Sequence, residues 1–279
     1  MTTVRTTSPD MTTRAPERHG IPDDGRVTIA RVIHSEWIKF RTLRSSWVML
    51  FASFAALIAF GLIIGYNTGR HFHGLAPEDS AASGPLQGYY LGQLLMGVLG
   101  VLFVTGEYGT GMIRSTLGAV PRRLPVLVAK SVVFGAIALI SMVVGSLAAF
   151  FASQLFLSHY GHGSSLSDPG VLRAVVGTGV YLGLVGLLGG AIGWIVRSTA
   201  GGISTLVGLL LVLPVLFQVL PGSWATRVFE YLPTEAGSSF VMSVRLPGTL
   251  SPGTGFVVFV LWVTAGLAAA AVVLRRRDA

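Results

Sequence analysis

The chain has 279 residues, of which 52% are hydrophobic and only 11% charged, with 36 glycines and no cysteine. A soluble domain carries about 25% charged residues, so composition excludes a soluble enzyme and a disordered chain alike: too little charge is left to cover a water-facing surface. Without cysteine there are no disulfides, no thiolate metal site and no cysteine nucleophile. The net charge of +8 sits at the edges of apolar runs, where it serves membrane topology, and no nucleic-acid partner is expected.

Residues 1–26 are rich in Thr, Pro and Arg and read as a disordered cytoplasmic tail. They lack the apolar core of a cleavable signal peptide, so the first span is expected to act as an uncleaved anchor. In residues 27–44, Val32, Ile33, Trp37, Ile38 and Phe40 alternate with Arg31, Lys39, Arg41 and Arg44 at helical spacing. That pattern predicts an amphipathic interfacial helix, apolar side down, with Lys39 and Arg41 near lipid phosphates and Trp37 at the interface. A solvated helix and an extension of the first span are the alternatives.

Residues 45–279 hold six apolar runs, at 47–66, 86–105, 131–157, 174–196, 201–220 and 255–274, and none contains a charged side chain. Each meets the length of about 20 residues that a bilayer crossing needs. The predicted fold is therefore an all-α integral membrane protein, with six transmembrane helices behind the interfacial helix. The third run is the longest and should tilt or project beyond the bilayer. Pro214 should kink the fifth. Placing the N-terminus in the cytoplasm puts 16 Lys and Arg on that side and 4 on the other, a positive-inside split that makes both termini cytoplasmic.

Several chemistries drop out. No Gly-Lys pair occurs, so there is no phosphate-binding loop, and the chain alone is not expected to hydrolyse ATP or to be an enzyme. With no ionisable group inside the six runs, a proton relay or an intramembrane aspartyl protease has nothing to work with. His71, His73, His159 and His162 fall in two outside loops; without carboxylates or cysteines beside them they read as solvated, and no metal site is predicted.

Glycines four residues apart, such as Gly179 with Gly183, Gly186 with Gly190 and Gly61 with Gly65, predict close backbone approach between helices. A surface on which helices slide is the other reading of the same spacing. Gln93, Gln154 and Gln218 each need a hydrogen-bonding partner within or near a span.

The segment 106–130 is the most informative. It runs through Glu107, Gly109-Thr110, Ile113-Arg114, Leu117, Pro121, Arg123 and finally Lys130, which opens the third span. A helix there would put Glu107 and Arg114, seven residues apart, on one face, with Arg122 and Arg123 following at a proline break. This order and spacing resembles the cytoplasmic loop of the ATP-binding-cassette (ABC) type 2 transporter permeases, and the chain looks like their actinobacterial branch. It departs at Arg122, where many relatives have serine. The resemblance implies a permease subunit in the cell membrane, paired with a separate nucleotide-binding ATPase that holds ATP and magnesium, and with a second permease copy, identical or related. No cofactor is implied for this chain.

By the same resemblance, Glu107, Arg114, Arg122 and Arg123 would dock the ATPase, with Lys39 and Arg41 in support. Residues between the last two spans would form short helices capping the exit, with Phe229, Tyr231 and Phe240 as gate candidates. A membrane anchor or sensor that recruits cytoplasmic partners through the same basic surfaces is the alternative function. A secondary transporter ranks third, weakened by the charge-free spans, with uniport or sodium coupling through backbone carbonyls as its open routes.

Overall fold

The computed structural model describes residues 28–42, 44–70, 84–113, 116, 123–160 and 163–276. The expected tail at 1–26, Arg114, Arg122, His71, His73 and His162 lie outside the described residues. Six helices are long and apolar enough to cross a membrane, and the chain is a multi-pass membrane protein. No strand occurs among the described residues.

Helix α1 (Ile29–Thr42) is the amphipathic helix, and α2 (Arg44–Arg70) follows it after a single residue. The two are joined by a specific contact: Trp47 Nε1 donates to the Arg41 carbonyl at 3.1 Å. That bond satisfies one of the orphan carbonyls at the end of α1. The other long helices are α3 (Tyr89–Gly109), α4 (Leu124–His159) and α5 (Val171–Val196).

The fifth crossing is composite. Helix α6 (Thr199–Val207) passes through a π-turn at Gly208–Val212 into α7 (Leu213–Val219). Two short helices, α8 (Ser223–Glu230) and α9 (Pro233–Val241), precede the last crossing, α10 (Pro252–Arg276).

Helices α3 and α5 form the centre, flanked by α2, α4, α6 and α10. Water does not drive helices together inside lipid, so close packing must do it, and glycine provides it here. A Cβ on Gly100 of α3 would stand 1.9 Å from the Gly186 carbonyl oxygen of α5, and one on Gly189 would stand 2.1 Å from the Gly97 oxygen. The two backbones touch. Gly61 and Gly65 of α2 lie in the same way against Ala149 and Ser153 of α4. The predicted four-residue spacings are thus packing surfaces. Gln93 accepts a hydrogen bond from the Tyr181 hydroxyl, tying α3 to α5, whereas Gln154 caps a loop by accepting from Ser164 N at 2.8 Å. Gln218 is exposed.

Helix lengths correct the charge-free expectation. Helix α4 begins at Leu124, not near 131, and its 36 residues extend about 54 Å at 1.5 Å per residue, well beyond a hydrocarbon core of about 30 Å. Helix α3 runs on to Gly109. Both overshoot their apolar runs at the same end of the bundle, and so carry Glu107 and Lys130 within helices that cross the membrane.

Pro214 acts through its missing N–H. The carbonyl four residues earlier, Leu210, has no proline N–H to bond. The π-turn lies at that place, and the buried Thr234 Oγ1 of α9 donates to Leu210 O at 2.8 Å. Thr234→Val is expected to leave that carbonyl unsatisfied and to cost about 1–3 kcal/mol. Thermal unfolding in detergent checks this, with Thr234→Ser near wild type; equal melting of all three would contradict it.

Candidate functional site

The overshooting helix ends meet α1 in a buried ionic cluster. Helix α1 presents Val32, Glu36 and Phe40, four residues apart, to the bundle. Glu36 is fully buried, Glu107 is 6% exposed and Lys130 2% exposed. Lys130 Nζ sits 2.9 Å from Glu107 Oε1 and 2.8 Å from Glu36 Oε2. Lys39 Nζ sits 2.7 Å from Glu36 Oε1, 3.1 Å from Glu107 Oε1 and 3.2 Å from Thr116 Oγ1. Two carboxylates and two ammoniums thus alternate and cancel.

Cancellation is what makes the burial tolerable, because each ion taken out of water costs several kcal/mol unless it is paired. Partial burial pulls the Lys39 ammonium toward neutrality, but the bond to Glu36 and the charge of Glu107 outweigh it and hold its pKa above the ordinary lysine range. The pairing is incomplete. The Glu36 Oε2 contact with Lys130 is an ion pair without hydrogen-bond alignment, and Glu107 Oε2 has no hydrogen-bond partner among the described residues.

Each helix places an aromatic ring one turn from its charge. Phe40 follows Glu36, Phe103 precedes Glu107 and Phe134 follows Lys130. The rings form their own ladder: Phe40 meets Phe103 edge-on at 5.6 Å, and Phe103 stacks on Phe134 at 5.2 Å. Lys130 Nζ lies 4.3 Å from the Phe103 ring centre, a cation–π contact that adds to its pairing. Charges and rings together bind α1, α3 and α4. A cavity of about 300 Å³ opens beside them, bordered by Lys39, Met49, Phe103, Glu107 and Met112.

The expected continuous helix through Glu107 and Arg114 is not formed. Helix α3 stops at Gly109, where Thr110 N–H bonds to the Gly106 carbonyl and Gly111 takes a left-handed φ of 73°. The chain turns there, so no single helix carries on from Glu107 past Gly111. Arg123 Nη1 donates to the Leu274 carbonyl at 3.3 Å, at the end of α10. There its positive charge complements the helix dipole.

The α1 residues divide. Trp37 and Arg41 are exposed, whereas Lys39 turns inward to the carboxylates instead of outward to phosphates. Glu36 was not among the candidates. Its place in the stripe from Val32 to Phe40 was the available signal.

At the far end, two short helices do precede the last crossing, but the gate candidates are not brought together. Phe240 is buried among Tyr181, Phe256 and Phe259. Phe229 is half-buried and Tyr231 exposed, its carbonyl accepting from Trp262 Nε1 at 2.9 Å. No cluster of metal-ligating side chains occurs among the described residues. No protein-family model matches the chain, and no curated protein is significantly similar to it.

Proposed function

We propose that the chain is the membrane-spanning permease subunit of an ATP-driven ABC exporter in the cell membrane. Hydrolysis of ATP, with its magnesium, belongs to a separate ATPase subunit, and a second permease copy, identical or related, completes the path. One observation carries the reading: the segment 106–130, whose residues resemble the type 2 permease loop, is held at both ends by a single ionic cluster. Glu107 anchors its entry and Lys130 its exit, and α1 is locked to both. A push on the intervening residues, Arg114 and Arg122 among them, then reaches α3, α4 and α1 together. In this reading Glu107 and Lys39 transmit force, and the arginines of the loop meet the ATPase. The concentration of Lys and Arg at this end supports a cytoplasmic location.

The test is purification of the full chain from its own cell's membranes, followed by an ATPase assay of what co-elutes. An ATPase subunit is expected with the wild type, and its loss with an Arg114→Ala/Arg122→Ala variant that still inserts. A chain that elutes alone, under conditions gentle enough to keep complexes, would replace this reading with a membrane anchor or sensor.

A further inference from the structure

Beside the cluster, on the outer face of α4, two apolar hollows run into one another. The first, of about 660 Å³, lies between α1 and α4; the second, of about 250 Å³, lies between α2 and α4, and both are bordered by Ile140 and Ser141. Together they make a furrow along one stripe of α4, through Val132, Ala136, Ile140 and Val144. These residues are four apart and so share a helix face. All four are exposed on the bundle's surface.

The twelve steps from Val132 to Val144, at 1.5 Å each, give the furrow a length of about 18 Å, somewhat more than half of a hydrocarbon core of about 30 Å. It is therefore as deep as one leaflet. Its other walls are aromatic: Trp37 of α1 in the first hollow, Trp47 and Phe51 of α2 in the second.

The surface of α1 beside the furrow is basic. Among the charged residues of α1, Glu36 and Lys39 are engaged in the cluster. What α1 and the start of α2 display outward is Arg31, His34, Arg41 and Arg44, with no exposed acid between them. The Arg41 carbonyl is held by Trp47, which itself borders the second hollow, so the basic residues of α1 adjoin the apolar furrow there.

We propose that this furrow is a binding site for one anionic phospholipid of the adjoining leaflet. An acyl chain lies along Val132 to Val144, the headgroup phosphate meets His34 and Arg41, and Trp37 sits at the carbonyl level. The lipid wedges between α1 and α4, beside the ionic cluster, and fixes the angle of α1. The site depends on the membrane embedding of the chain and not on the transport reading, so either can fail alone.

The probes are phosphatidylglycerol and phosphatidylcholine with identical acyl chains, added to the delipidated full chain and followed by native mass spectrometry. One phosphatidylglycerol per chain is expected, held about fivefold more tightly than phosphatidylcholine for each basic side chain that reaches the phosphate. Ala136→Trp, which fills the furrow from an exposed position, should weaken binding at least tenfold while leaving the melting temperature in place. Arg41→Glu should erase the preference between the two lipids. Equal binding of both lipids by the wild type, or wild-type binding by Ala136→Trp, would overturn the proposal. So would a lipid-free dimer that Ala136→Trp separates, which would give the furrow to a second copy of the chain.

Discussion

Lys130→Met is expected to destabilise the folded bundle by about 3–5 kcal/mol, the cost of removing one partner from a buried ion pair. Among the described residues Lys130 is the only ammonium that is almost fully buried, and it touches both carboxylates, at 2.8 and 2.9 Å. Methionine keeps the length and the contact with Phe103 but leaves Glu36 and Glu107 to share Lys39. One carboxylate is then charged, buried and unpaired. At about 2–4 °C per kcal/mol for a chain of this size, the melting temperature in detergent should fall by about 10 °C.

The double variant Glu107→Gln/Lys130→Met restores the balance of one acid to one base, and should recover part of that loss. The coupling between the two sites is expected at about 0.5–3 kcal/mol. A Lys130→Met protein that melts with the wild type would mean that the cluster is hydrated and holds nothing together.

The second large effect lies at the crossing of α3 and α5. Alanine stabilises an exposed helical position by about 1 kcal/mol relative to glycine, so two glycines in one helix make an internal comparison. At Gly106 no atom beyond the adjoining helix backbone lies within 4 Å of a new Cβ, and Gly106→Ala should raise stability by up to that amount. At Gly100 the same Cβ would stand 1.9 Å from the Gly186 oxygen. Ordinary contact needs nearly twice that distance, and the obstacle is backbone that no rotamer change removes. Gly100→Ala must therefore push α3 and α5 apart by more than an ångström, at a cost of about 3 kcal/mol or more. Thermal unfolding of the two variants should move in opposite directions. Shifts of the same sign would contradict the backbone contact.

The six crossings were legible because lipid imposes a length of apolar chain that little else in a sequence imitates. The same criterion hid the site. An apolar run ends by definition at its first charge, so Glu107 and Lys130 read as flanks, whereas hydrogen bonding carries the helices on through them. Glu107, Lys39 and Lys130 were each visible as members of a pattern, but their mutual contact was not, because Lys39 and Glu107 are 68 residues apart in sequence.

Glu36 escaped for another reason. On an amphipathic helix an acid is assigned to the polar face, and only its register with Val32 and Phe40 betrays the opposite. Phe240 illustrates the converse. The family resemblance offers Phe240 as a gate candidate; in the structure α9 packs into the bundle against α5 and α10. There Gly237 lets Tyr181 approach so closely that a Cβ would stand 2.1 Å from its ring. Pro214 behaved as its chemistry required, but the identity of the group that answers its free carbonyl, Thr234, was a tertiary fact.

Through the ionic cluster, α1, α3 and α4 are expected to move as one mechanical unit. The chain has no cysteine, so a pair of introduced cysteines gives unique spin labels. Labels at the exposed Ser35 of α1 and Val128 of α4, measured by double electron–electron resonance in lipid nanodiscs, read the join directly. A single narrow distance is predicted for the intact cluster, broadening in the Lys130→Met background. A wild-type distribution already as broad as that of the variant would contradict the account.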